Sequence, residues 1–345
     1  MIDRRSAIGG LGALAAASIL PPFTAAAAPS RRPPRLRQGD TVGLIAPAGF
    51  SDDEMDVEQV KATITAMGLV PRVGRYVTAR FGYLAGTDRQ RAEDLNAMYA
   101  DDAVRAVFTL RGGWGCARIL PHIDWKLVRE HPKLLIGFSD VTALHLAFAA
   151  RAGFPTIHGP NAANSWREIS WNSLWALAFQ GATPEFRNPD PAGLDPLLQD
   201  RWRTTTIRPG KAEGRLIGGN LSVLAALVGT PWLPDFDDAI LFLEDTGEQE
   251  YRIDRMMTQL ALAGILGKVA GVAFGQCTRC TSNIPDYSGF TVAQVLYQHL
   301  APLGIPAFHG ANIGHIANQL SLPVGVKAEI DAGSGTIRIL EPAVG

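Results

Sequence analysis

Cysteine is scarce in this chain: three residues in 345, at positions 116, 277 and 280. An odd count leaves at least one thiol unpaired, so no dense disulfide framework holds the fold. Cys277-Thr-Arg-Cys280 is an isolated C-x-x-C, open to a local disulfide or to two free thiols, and neither state makes it catalytic. No second such pair and no H-x-x-x-H accompanies it, which excludes a closed zinc site of the usual spacing. Charge is sparse too, 19% of residues with a formal net of -1, which argues against an electrostatic nucleic-acid binder. Charge runs and internal repeats are missing. The one extended apolar stretch, Ala7 to Leu20, is about half of the roughly 20 residues a spanning helix needs once its glycines and alanines are discounted.

What is plentiful is hydrophobic material, 47% of the chain, enough for one large domain or two ordinary ones. The first residues stand apart. Arg4-Arg5, the short apolar stretch and the small-residue segment Thr24 to Ala28 are the parts of an export signal, with the paired arginines favouring the twin-arginine route. The expected mature protein starts near Pro29 and is periplasmic. A Ser30-Arg-Arg-Pro-Pro-Arg35 linker follows.

From there strands and helices alternate. Asp40-Thr-Val-Gly-Leu-Ile-Ala-Pro47 reads as a first strand ended by its proline, and Ser51 with Glu54 forms a capping box before a helix marked by Val57, Val60, Ile64 and Met67. A short strand near Val70 to Val73, a helix over Asp88 to Tyr99 and a strand from Val104 to Leu110 come next. That order implies right-handed βαβ units and a parallel sheet. The stretch from Gly181 to Pro209 lacks periodicity and reads as a linker. A second pattern then runs from Gly214-Arg-Leu-Ile-Gly-Gly-Asn220 through a strand ending in Glu244-Asp245, a helix carrying Ile253, Met256, Met257 and Leu260, and a closing hairpin around Gly333-Ser-Gly335.

Two strand ends carry candidate chemistry. Lys133-Leu-Leu-Ile-Gly-Phe-Ser139-Asp140 is a buried-type strand stopped by a glycine, with one serine before a helical pattern, the layout of a nucleophile elbow. Taken alone, the simpler reading is that Ser139 or Asp140 caps the helix. Arg111-Gly-Gly-Trp-Gly115 follows another strand; it fits neither G-x-G-x-x-G nor a Walker A loop, but lets backbone approach a ligand closely. Both segments belong at the carboxyl edge of one parallel sheet, where open α/β folds bind ligands. A serine nucleophile also needs a base and a group to orient it. Seven histidines are available, with His309 and His315 both in turns late in the chain, and Glu244 or Asp245 ends an otherwise apolar strand.

Six motifs occur together and in order: Arg-Gly-Gly-Trp-Gly, Gly-Phe-Ser-Asp-Val-Thr, His-Gly-Pro, Gly-Gly-Asn-Leu, Leu-Phe-Leu-Glu-Asp, and Gly-His followed by Leu-Pro-Val-Gly. In these the chain, from about Gly39 to Pro342, resembles the LD-carboxypeptidase family of serine peptidases, which includes muramoyl-tetrapeptide carboxypeptidases and microcin C self-immunity proteins. The resemblance implies an α/β fold, with an N-terminal flavodoxin-like or amidotransferase-like parallel-sheet domain and a smaller C-terminal β-rich α/β domain. The boundaries expected are an export signal over 1–28, a linker over 29–38, a domain over 39–180, a linker over 181–212 and a domain over 213–345. It also implies a catalytic triad of Ser139, Glu244 and His315, with His309 the rival base, and an oxyanion hole from the N–H groups of Asp140 and Gly112, Gly113 being the alternative.

The implied substrate is a murein tetrapeptide that loses its terminal D-alanine, with Arg111 a candidate for its carboxylate, no cofactor or metal, and a homodimer as candidate assembly. Two alternatives stay open. One is an immunity-type hydrolase of aminoacyl or peptidyl sulfamoyl-adenylates, stacking the base on Trp166 or Trp171; the other is a non-catalytic periplasmic binder of cell-wall peptides.

Overall fold

The computed structural model describes residues 32–50, 57–189, 203–284 and 286–345. The expected export signal and the Ser51–Glu54 capping box lie outside them. In chain order the first half comprises β1 (Thr41–Ile45), α1 (Val57–Ala66), β2 (Val70–Val73), α2 (Asp88–Ala100), β3 (Val104–Thr109), α3 (Cys116–Ile119), α4 (Trp125–Glu130), β4 (Leu134–Gly137), α5 (Thr142–Arg151), β5 (Thr156–His158) and α6 (Glu168–Leu174). The second half comprises β6 (Glu185–Phe186), β7 (Thr205–Arg208), β8 (Lys211–Asn220), α7 (Leu221–Ala226), β9 (Ile240–Thr246), α8 (Glu250–Leu262), β10 (Gly271–Thr278), α9 (Val292–Leu300), β11 (Ala307–Ala311), β12 (Leu322–Val324), β13 (Lys327–Asp331) and β14 (Thr336–Ile339).

The architecture is mixed α/β with two sheets. The first has six strands in the order β12-β5-β4-β3-β1-β2, parallel except for β12 at its edge. Its inner strands are almost wholly buried, as expected of apolar runs covered on both faces by helices. The second has eight strands, β6-β14-β13-β8-β9-β10-β11-β7. The four strands β8 to β11 run parallel at its centre, and antiparallel strands flank them on both sides.

Two pairings go beyond the sequence reading, the first of them in the stretch 181–209 that reads as a linker. Both ends of that stretch enter the second sheet, β6 on β14 and β7 on β11, so they form its two edges. A two-residue strand and a mostly exposed Thr-Thr-Ile-Arg strand bury too little for an apolar pattern to show. The other is β12, which leaves the second sheet's sequence neighbourhood to pair antiparallel with β5 of the first. The chain between β11 and β12 therefore crosses from one sheet to the other, carrying His315. Cys277 and Cys280 form a disulfide at the end of β10, and Cys116 is a buried free thiol.

Candidate active site

The elbow forms because β4 ends at Gly137 and a short 3-10 turn over Ser139–Val141 leads into α5. Ser139 itself holds φ 67°, a left-handed conformation that costs a side chain with a Cβ about 1–2 kcal/mol. The strain is fixed by its neighbours. Asn161 Oδ1 accepts from the backbone N–H of Phe138 at 3.2 Å and from the Thr109 hydroxyl at 2.6 Å, tying the elbow to the end of β3. On the far side, the N–H of Asn220 donates to Thr142 Oγ1 at 2.8 Å, so the end of β8 holds the start of α5.

Glu244 lies on β9 in register with Asn220, completely buried. Its Oε2 is 2.7 Å from His315 Nδ1, and His315 Nε2 is 3.0 Å from Ser139 Oγ. A carboxylate only accepts, so Nδ1 carries the hydrogen of this pair and a neutral imidazole presents its Nε2 lone pair to the serine hydroxyl. Room for the contact comes from Gly314: a Cβ there would lie 2.5 Å from Glu244 Oε2, and its φ of 101° favours glycine independently. The His315 ring packs 4.7 Å from that of Phe138, and its carbonyl accepts from Thr278 Oγ1 at 3.1 Å. Three groups from one sheet end, the other sheet and the crossing between them thus meet.

The two carboxylates ending β9 divide their work. While Glu244 faces the imidazole, Asp245 accepts from Ser222 N at 2.9 Å and Oγ at 2.7 Å, from Thr246 N and from Asn220 Nδ2, binding the start of α7 to the strand. Burial pushes its carboxyl up to about 6 against those hydrogen bonds.

The glycine loop completes the site. Gly112 comes so near the elbow that a Cβ on it would lie 2.7 Å from Ser139 Cβ and 2.9 Å from Ser139 Oγ. Its carbonyl accepts from Gly49 N at 3.2 Å, while Arg111 Nη1 donates to Phe50 O at 3.1 Å. Asp140 Oδ2 accepts from the N–H of Cys116 at 2.7 Å, holding the loop's end to the elbow.

Burial pushes the Asp140 carboxyl up to about 6, with the Cys116 N–H only partly offsetting it. A proton that the folded chain keeps and the unfolded chain releases stabilises the fold below the unfolded value near 4, and this contribution is lost as pH rises through 6. At about 1.4 kcal/mol per pH unit it amounts to roughly 3 kcal/mol. Asp140→Asn removes it, so the variant's unfolding free energy is expected to gain on the wild type between pH 4 and pH 7.5, as read by urea melts at both. A constant offset would contradict the burial account.

A cleft of about 710 Å³ opens beside Ser139 and His315, lined also by Arg111, Gly112, Asn164 and Trp166. Trp171, the other candidate stacking residue, is not on it and lines a separate recess. His309 stands elsewhere, on β11 opposite Phe274 and Thr205, lining a third recess. The sequence alone assigns no role to Asn161, and His158 enters only as the first residue of the His-Gly-Pro motif. His158 is completely buried, and its Nε2 faces Glu244 Oε1 at 3.9 Å. Both belong to the run His158-Gly-Pro-Asn161, which starts on the last residue of β5. Among the described residues no group of three or more His, Cys, Asp or Glu side chains is placed to hold a metal ion.

Comparison with known proteins identifies the family. Residues 42–159 match the family model described as LD-carboxypeptidase N-terminal domain, and residues 213–330 match that of the LD-carboxypeptidase C-terminal domain. The chain is 36% identical to a probable murein peptide carboxypeptidase of Bacillus subtilis, over 88% of this chain and 93% of that one. It is 33% identical to the murein tetrapeptide carboxypeptidase of Pseudomonas aeruginosa, over 84% and 92%. In fold it is similar to the microcin C7 self-immunity protein MccF, solved with glutamyl sulfamoyl guanosine, at a TM-score of 0.80 and 24% identity over 91% of this chain and 99% of that one.

Proposed function

The chain belongs to the LD-carboxypeptidase family, and from that premise we propose that it is a serine carboxypeptidase that removes the terminal D-alanine of murein tetrapeptides. The observation that carries this is the single line of contacts from buried Glu244 through His315 to the strained Ser139.

His315 Nε2 takes the Ser139 proton as Oγ attacks the carbonyl before the terminal D-alanine, and Glu244 stabilises the imidazolium that forms. The oxyanion is held by the N–H of Asp140 and that of Gly112, with Gly113 as alternative donor. Collapse breaks the C–N bond, and His315 passes its proton to the departing amine. Water, deprotonated by the same imidazole, then hydrolyses the acyl-serine and restores the free hydroxyl. Arg111, at the edge of the cleft, meets the substrate's free carboxylate. Nothing in this sequence of steps calls for a metal or an organic cofactor.

A coupled assay for free D-alanine on murein tetrapeptide tests the activity; release of no D-alanine at any enzyme concentration would refute it. The glycine loop has its own test. Because a Cβ at position 112 meets Ser139 within 3 Å, Gly112→Ala displaces either the donor or the nucleophile, and kcat is expected to fall about a hundred- to a thousandfold. Steady-state rates with unchanged circular dichroism check it.

Trp166, half-buried in the cleft beside Asn164, favours a second reading, hydrolysis of an aminoacyl or peptidyl sulfamoyl-adenylate whose base stacks on the indole. Export weighs against it, since such a substrate acts in the cytosol. We infer a periplasmic location from the residues before Pro29; N-terminal sequencing of protein from the periplasmic fraction tests it, and recovery of Met1 from cytosol alone would exclude it.

A further inference from the structure

The disulfide stands next to the reacting groups. β10 runs beside β9, and its register shifts between Phe274, opposite Leu243, and Cys277, opposite Asp245, so a bulge faces Glu244. Both the carboxylate and the crossing that carries His315 touch this bulge. A Cβ on Gly275 would lie 3.2 Å from Glu244 Cβ and 2.7 Å from Ile313 O, and Gln276 N donates to Ile313 O at 3.2 Å. Beyond the bulge, Cys277 and Thr278 are the last residues of β10 paired with β9.

Thr278 reaches the residue that carries the base. Its Oγ1 donates to the His315 carbonyl at 3.1 Å. Its own carbonyl accepts from Thr246 Oγ1 at 3.1 Å and from Gly247 N at 2.8 Å, so this one residue ties the end of β9 to His315. Arg279 then turns the chain at φ 57°, a left-handed conformation that a side chain disfavours, and Cys280 comes back to bond with Cys277. Cys277 is half-buried and Cys280 buried. The disulfide thus closes a short loop around Thr278. A loop of this size contributes little to global stability, so its effect is local. Without it, a bulged strand end followed by a strained turn is free to open.

We propose that Thr278 is a positioning residue for the base His315 and that the Cys277–Cys280 disulfide is the clamp that holds it, so that the oxidised enzyme turns over faster than the reduced one. This rests on the carboxypeptidase reading for its substrate. A dithiol reductant breaks the S–S bond by thiolate attack and exchange: two electrons and two protons pass to the pair, two thiols remain, and the reductant closes to its own disulfide. Thr278 then follows a loosened turn, and His315 Nε2 is held less firmly at its 3.0 Å from Ser139 Oγ. The loss falls on kcat, because neither cysteine nor Thr278 lines the cleft. An oxidising compartment keeps the pair closed, which suits the exported location inferred above.

The test measures kcat and KM on murein tetrapeptide before and after treatment with dithiothreitol, with the thiols counted by alkylation and mass spectrometry. Reduction is expected to lower kcat about fivefold with KM unchanged, the hold of one neutral hydrogen bond. Replacing both cysteines, Cys277→Ser with Cys280→Ser, gives the same loss without reductant. Thr278→Val is about fivefold slower in either state and no longer responds to dithiothreitol, while Thr278→Ser keeps the wild-type rate and its redox response. In parallel, labelling of Ser139 by a fluorophosphonate is timed in each protein, since it reads the Ser139–His315 pair without a peptide. Slower labelling on reduction supports the clamp even if no tetrapeptide is cleaved, which would count against the carboxypeptidase reading alone. Equal rates for oxidised and reduced wild type, the absence of any rate in both assays included, would overturn the proposal. So would a Thr278→Val variant that reduction slows as much as the wild type.

Discussion

Replacing Ser139 by glycine is expected to abolish turnover and to give a protein that melts higher than Ser139→Ala. Both variants lose the hydroxyl 3.0 Å from His315 Nε2, and with it the attacking atom, so kcat on murein tetrapeptide falls on the order of 10⁴- to 10⁶-fold in each. They differ only in the Cβ held at φ 67°. Alanine keeps that strain, whereas glycine occupies the left-handed region without it. Set against the extra freedom glycine gives the unfolded chain, the net difference is about 1 kcal/mol, or roughly 2 °C in Tm for a chain of this size. Differential scanning calorimetry of the pair reads it. Equal melting temperatures would show that the elbow is not strained by its side chain.

Glu244→Gln should be nearly as damaging to activity as loss of the serine. The carboxylate is completely buried, and its Oε2 fixes which imidazole nitrogen carries the proton. An amide offers the ring a donor as readily as an acceptor, and it cannot balance the positive charge that develops on His315. The expected loss in kcat is about 10³- to 10⁴-fold with KM little changed, in line with the analogous change in a serine protease triad. Glu244→Asp keeps the charge but withdraws it from His315, and should fall between the two. Steady-state kinetics on all three proteins decides it, and a Glu244→Gln enzyme within tenfold of wild type would remove Glu244 from the mechanism.

The strands and the elbow were legible because burial writes itself into composition. Leu134 to Ile136 and Ile240 to Leu243 are covered on both sides, and an apolar run ended by a glycine or a carboxylate marks a strand edge without any knowledge of its neighbours. The edges of the second sheet left no such trace: β6 and β7 are short and largely solvent-facing. The triad lies at the limit of local inference. Ser139 and His315 are 176 positions apart, and only the order of six motifs linked them. What joins them in space is the crossing from β11 to β12, and Leu322-Pro-Val324 is too short to announce the sheet it enters. The contacts of Asn161 and His158 were not legible for a different reason. Their importance lies in facing the elbow and Glu244, and nothing about a histidine or asparagine after a strand tells which side chains it will meet.

Mass spectrometry of wild-type protein and its Ser139→Ala variant, each incubated with a disaccharide-tetrapeptide, tests the central claim most directly. The account predicts loss of one alanine with the wild type and none with the variant. Alanine released equally by both would contradict Ser139 as nucleophile, and release by neither would contradict the substrate while leaving the sulfamoyl-adenylate as the next one to try.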